Sequence, residues 1–184
     1  LDEEVAKLRA DPFFSKILSR PPFVEPAPYA DLRGQDYEGR DWSGRDLSGA
    51  NLQYANLSRA SLRDAKLVGA NLRGAILVET DATGADFGGV ELGLANCTAL
   101  TATGASLRET RLDRTFFQQA SLRRASLQGA RGKCTFFPEA DLTEARCEGA
   151  IFEDAFLQKV DCSAAKFDGA ALLRIVLDRG AAAL

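Results

Sequence analysis

Between residues 30 and 169 the chain repeats itself every five residues without an insertion or a deletion. Ala50-Asn51-Leu52-Gln53-Tyr54 and Ala55-Asn56-Leu57-Ser58-Arg59 show the unit: a small residue, a polar one, a bulky apolar centre and two variable residues. Centres fall at 32, 37, 42 and on in register to 167, giving 28 units, of which 15 are centred on Leu and 5 on Phe. The position two before the centre is Ala in 18 of the 28 units, so small and bulky apolar positions recur in fixed phase.

Neither a helix nor a flat strand can hold this pattern. At about 100° per residue, a five-residue step on a helix advances about 140° and spreads the centres round the cylinder. On a strand, an odd step sends successive centres to opposite faces. The backbone must therefore turn a corner in every unit. Gly34, Gly39, Gly44, Gly49, Gly69 and Gly74, each two residues after a centre, mark that corner as a place of unusual dihedrals.

On these residues the chain resembles the pentapeptide repeat family, over about three-quarters of its length. The resemblance implies an all-β solenoid, a right-handed quadrilateral β-helix of about seven coils. Each coil would hold four units, about 20 residues, so that positions one coil apart stack. Leu52, Leu72, Leu92 and Leu112 would then line one inner wall.

Departures from the repeat carry expectations of their own. Gln35, Arg40 and Arg45 stand at inward positions of the first coil, which must therefore be wet or capped, because a sealed unpaired polar group costs roughly 2–7 kcal/mol. Ala82 and Ala102 are undersized centres and Leu100 is oversized for its position, a pattern of volume compensation. Gly132 is a centre without a side chain, which predicts a void or a backbone shift, with Cys134 as the nearest filler.

The ends are of different material. Residues 1–29 read as short N-terminal helices, opened by Asp2 and by Asp11-Pro12, followed by the extended Pro21–Pro28 connector. They serve either as a cap on the first coil or as a linker. Residues 170–184 read as a C-terminal cap helix and tail, with 171–179 helical, although the run also fits two further units in register. The repeat of residues 30–169 lies between them. Relatives of the family can dimerise through such a C-terminal segment, and the resemblance implies the same option here. The sequence opens on Leu and contains no Met, which reads as a processed chain or part of a longer polypeptide.

Composition suits one domain, with 46% hydrophobic residues and a formal charge of −3. No stretch approaches the ~20 apolar residues of a membrane span. Cys97, Cys147 and Cys162 are centres on three different walls and Cys134 lies at a corner, so all four read as free thiols of a reducing, cytoplasmic compartment of bacterial type.

Catalysis finds little support. There is no His, which removes the commonest general base, nucleophile partner and metal ligand. No phosphate-cradling loop is present, and stacked Asp41, Asp81, Asp141 and Asp161 would sit on a solvated wall that excludes no water. The reading is no enzyme, no cofactor, no metal site and no direct nucleic-acid binding.

The outward residues just before each centre are more informative. They are usually Asp, Asn or Ser, yet one wall carries Ile76, Phe116, Phe136 and Phe156. An apolar column in water marks either a contact surface or rings that stack to stabilise coil edges. Arg111, Arg114, Arg131 and Lys133 flank it, as an anion-binding patch or as an ordinary solvated run. These eight residues are the candidate partner-binding site, which self-association through the Phe column would also use. Two functions compete. One is a non-catalytic protein-protein interaction scaffold. The other comes from the resemblance: some family members bind DNA gyrase, a type II topoisomerase, by mimicking a duplex. The 20 acidic and 17 basic residues of 30–169 make a weak imitation of a uniformly anionic duplex.

Overall fold

The computed structural model describes residues 24–177. Its regular strands are β1 (Arg131–Lys133), β2 (Ile151–Glu153) and β3 (Ala171–Leu173), which form one three-stranded parallel sheet in the order β1-β2-β3. Arg131 pairs with Ile151, and Ile151 with Ala171, so the register is a constant offset of 20 residues. The same offset joins isolated parallel bridges from Asp31↔Asn51 to Phe156↔Val176. Successive 20-residue rungs are thus hydrogen-bonded in register. Leu52 N–H donates to Asn71 O at 2.7 Å and Asn71 N–H to Ala50 O at 2.9 Å.

This corrects the expected architecture. The sheet is open and short rather than a closed quadrilateral β-helix, and no helix occurs among the described residues. The reason lies in the unit itself. After each centre the chain turns at once: Ala55 N–H returns to Leu52 O at 3.1 Å, for example. A five-residue unit that spends its last residues on a turn keeps only a single bridging residue, too few for a continuous strand. Among the described residues the expected C-terminal cap helix is likewise absent, and positions 178–184 of that segment lie outside them. Ala171–Leu173 are strand β3, and Arg174 has φ 51°, which no helix interior accepts. The expected N-terminal helices lie outside the described residues.

At every second residue after a centre, from Gly34 to Arg174, φ lies between 51° and 70°. Glycine at this position is therefore a conformational choice, and the other side chains there occupy a region that L-residues disfavour.

The interior is made of the centres and the small residues before them. Leu52, Leu72, Leu92 and Leu112 are buried one above another. Each contributes about 1.5–3 kcal/mol by leaving water. The undersized Ala82 and Ala102 and the oversized Leu100 are all buried too, as volume compensation requires. Where Thr replaces the small residue it is fully buried, and its hydroxyl donates to a carbonyl: Thr80 to Leu57, Thr115 to Leu92, Thr135 to Leu112 at 2.7–2.9 Å. No polar group is sealed in unsatisfied at these sites.

Two expectations about the interior are corrected. The space at Gly132 is taken by Thr135, whose Oγ1 stands where a Cβ would go, and not by Cys134, which lies half-buried at the corner. Arg40 and Arg45 do not reach the interior. Both are exposed, with Arg45 Nη1 4.0 Å from Glu25 Oε2. A long cationic side chain at an inward position is cheaper to turn into water than to desolvate. Tyr37 is buried beneath them, and its hydroxyl donates to Val24 O at 2.9 Å, which ties the residues before the repeat to its first rung.

Candidate functional site

Outward residues follow a local rule. The residue before the centre, when Asp or Asn, turns its side-chain oxygen onto the N–H of the residue after the centre. Asp46 accepts from Ser48 N–H at 2.9 Å, Asn96 from Thr98 N–H at 3.1 Å and Asp161 from Ser163 N–H at 2.9 Å. This bond explains the polar preference at that position: it satisfies a turn donor that would otherwise face water alone.

Phe116, Phe136 and Phe156 have given up that bond, and Pro138 has no N–H to satisfy. Their rings stack instead. Phe116 and Phe136 have centroids 4.8 Å apart at 10°, and Phe136 and Phe156 4.5 Å apart at 2°. Stacking contributes about 0.5–1.5 kcal/mol per pair, close to the ~0.5–1.5 kcal/mol of a hydrogen bond, so the exchange is near neutral for the fold. Ring covers ring within the column: Phe136 and Phe156 are half-buried, while Phe116 stays 41% exposed. Ile76, two rungs from Phe116 with Asn96 between them, is 40% exposed. The structure thus brings the four expected apolar residues onto one column, which continues to Val176.

The expected basic patch divides. Arg111 Nε lies 3.1 Å from Glu91, and Lys133 Nζ lies 3.6 Å from Glu153 and 3.9 Å from Asp154. Those two are internally paired. Arg114 and Arg131 make no ion pair among the described residues. Arg114 lines an open groove with Arg73, Leu94, Asp113, Lys133 and Cys134. Arg131 lines a neighbouring one with Glu109, Arg111 and Asp113.

Sequence reasoning missed Arg73, Leu94 and Tyr54. The signal was available in the 20-residue register, which places Tyr54 and Leu94 in one corner column with Arg114, and Arg73 in the column of Asp113 and Lys133. Of nine exposed large apolar side chains, only Tyr29 and Val68 lie outside the two consecutive unit positions that contain 110–114 and 115–119. Ring stacking does not account for Ile76, Leu94, Leu173 or Val176. The apolar surface is concentrated on one side.

Among the described residues no group of three or more Cys, Asp or Glu side chains converges to hold a metal ion. Burial pushes the Cys147 thiol up to about 12, assisted by the nearby charges of Glu148 and Cys162, and burial also raises Cys97. Neither is an activated nucleophile.

The family model for pentapeptide repeats matches eight copies, over residues 29–64, 55–93, 103–131 and 137–172. The chain is a pentapeptide repeat protein. It is a non-catalytic, protein-binding repeat protein, as that membership supports. It resembles a solved pentapeptide repeat protein from the Arabidopsis thaliana thylakoid lumen, with 32% identity over 54% of this chain and 69% of that one and a TM-score of 0.53. It is also similar to HetL, a pentapeptide repeat protein involved in heterocyst differentiation regulation from the cyanobacterium Nostoc sp. strain PCC 7120, with 26% identity over 84% and 83% of the two chains and a TM-score of 0.41. A third likeness is to QnrB1, a plasmid-mediated fluoroquinolone resistance protein, at 17% identity over 84% and 86% with a TM-score of 0.47. No curated protein matches the pentapeptide repeat chain.

Proposed function

We propose that this pentapeptide repeat protein is an interaction scaffold that binds a protein partner along the side carrying Ile76, Phe116, Phe136 and Phe156. The observation that carries the reading is the segregation of exposed apolar side chains. Seven of the nine fall on two adjoining unit positions, where a polar residue would serve the fold as well. Exposed apolar surface gathered on one side in this way marks contact sites. Phe and Arg are both enriched at interface cores, and truncating a central hot-spot residue costs ~2 kcal/mol or more.

The test is the double change Phe116→Ser with Phe136→Ser. Both side chains point outward, so the circular dichroism spectrum should match the parent. Cross-linking pull-downs with the parent and the variant as baits should lose the same specific partners in the variant. A folded variant that retains every partner places the binding surface elsewhere. A variant that unfolds makes the column structural.

A further inference from the structure

We infer that the corner groove between Arg73 and Lys133 receives carboxylates of the partner, which is an extended peptide segment mixing Asp or Glu with aromatic or Leu side chains. This deepens the proposed function and rests on it. The groove, about 310 Å³ and open to solvent, is lined by Arg73, Leu94, Asp113, Arg114, Lys133 and Cys134. It runs beside the apolar column, because Arg114 and Phe116 are two residues apart across the corner.

Several arginines elsewhere meet carboxylates about one rung away: Arg59 and Glu79 at 2.9 Å, Arg63 and Asp81 at 2.8 Å, Arg124 and Glu144 at 2.9 Å. Arg73, Arg114 and Arg131 do not, and all three belong to the unit position that forms this corner. Asp113 shares the groove but forms no ion pair with them. Its Oδ1 accepts the Lys133 backbone N–H at 2.8 Å. The Lys133 ammonium is held in turn by Glu153 and Asp154.

The groove also has a shape suited to a guanidinium. Gly93 carries no side chain, and a Cβ there would stand 3.1 Å from Arg73 Nη1, so the glycine leaves room for the Arg73 head to lie along the groove floor. Leu94, 38% exposed at a corner position often held by Gly, puts apolar surface against the same space. A guanidinium recognises a carboxylate through two parallel N–H···O bonds, and those bonds strengthen when neighbouring apolar groups exclude water. An acidic peptide with interspersed apolar residues satisfies both halves of the surface. A continuous phosphate backbone does not, because Glu91, Asp113 and Glu153 alternate with the cations along the same face.

The experiment is selection from a display library of short random peptides against three baits: the full 184-residue chain, its Arg73→Gln/Arg114→Gln variant and its Phe116→Ser/Phe136→Ser variant. The two arginines make no ion pair among the described residues, so the first variant should keep the parent's melting temperature. Peptides recovered on the parent should be enriched in Asp or Glu together with Phe, Tyr, Trp or Leu. One such peptide, synthesised with a fluorophore, should bind at least about tenfold more weakly to the arginine variant, and its affinity should fall as salt rises. Recovered peptides without acidic enrichment, or equal affinity for the arginine variant, overturn the inference while leaving the binding surface intact. Equal affinity for the Phe variant overturns the surface itself. A single-stranded oligonucleotide that binds the parent and is lost in the arginine variant replaces the acidic peptide with nucleic acid as occupant, and also overturns the inference.

Discussion

Thr135 Oγ1 occupies the place of the side chain that Gly132 lacks, and from there it donates to Leu112 O at 2.9 Å. The two residues are one packing unit split across the chain. Gly132→Ala should therefore destabilise the protein by about 1–3 kcal/mol, since its Cβ would collide with Thr135 and stand 3.1 Å from Leu112 Cβ. Adding Thr135→Ala should recover part of that loss in thermal unfolding. Equal melting temperatures for the single and double variants would show that the two sites are uncoupled.

The corner dihedral makes opposite predictions at two equivalent positions of the repeat. Gly89 has φ 65° and open space around it, so Gly89→Ala meets only the conformational penalty and should cost about 1 kcal/mol. Ala99 has φ 55°, and Ala99→Gly should stabilise by about 0.5–1 kcal/mol despite the more flexible unfolded chain. Urea titration of both variants measures the pair. Shifts of the same sign would remove the dihedral as the cause.

Acid should weaken the fold through the outward aspartates. Hydrogen bonds from the hydroxyl and the backbone N–H of Ser48 hold the Asp46 carboxyl below the usual carboxylate range, and Ser163 does the same for Asp161. The unfolded chain thus binds protons that the folded chain refuses. Their contribution is present above the unfolded pKa of about 3.9 and disappears as pH falls through the lower folded value. The melting temperature should stay level down to about pH 5 and drop below about pH 4. Asp46→Asn with Asp161→Asn keeps the acceptors and should flatten the acid limb; an unchanged limb assigns acid sensitivity to other groups.

Thiol reactivity should sort by depth. Cys97 and Cys147 are buried and their thiols are pushed up by that burial, whereas Cys134 sits half-buried at a corner. Iodoacetamide at mildly alkaline pH should label Cys134 in the native protein, and Cys97 only after denaturant is added. Mass spectrometry of the peptides reads this directly. Labelling of Cys97 at the Cys134 rate would mean that the interior opens readily.

The repeat was legible because its period is incompatible with helix and strand alike, and every centre from Leu32 to Leu127 is buried as that period requires. Glycine at the corner was a true sign of positive φ, although Tyr54, Leu94 and Arg114 adopt the same dihedral without any signal of their own. Periodicity says which residues turn inward, but not how long a hydrogen-bonded run survives between turns. The closed β-helix is what the family resemblance implies, and single bridges and three short strands occur in its place. The helix expected at 171–179 followed from an unbroken apolar run, and backbone pairing with Ile151–Glu153 outweighed that local pattern. In the candidate site the Phe column could be read by counting in steps of 20. Which arginines lack partners could not, since that depends on where each long side chain finds a carboxylate.

The Phe116–Phe136–Phe156 stack has a consequence for recognition by antibodies and proteases. Its rings are 20 positions apart in the chain, so no short fragment contains two of them. A linear peptide cut from this protein cannot reproduce the surface, and an antiserum raised against such peptides would see isolated rings. An antibody that binds the stack would report native chain alone, and its epitope would vanish on the first unfolding event that separates two rungs.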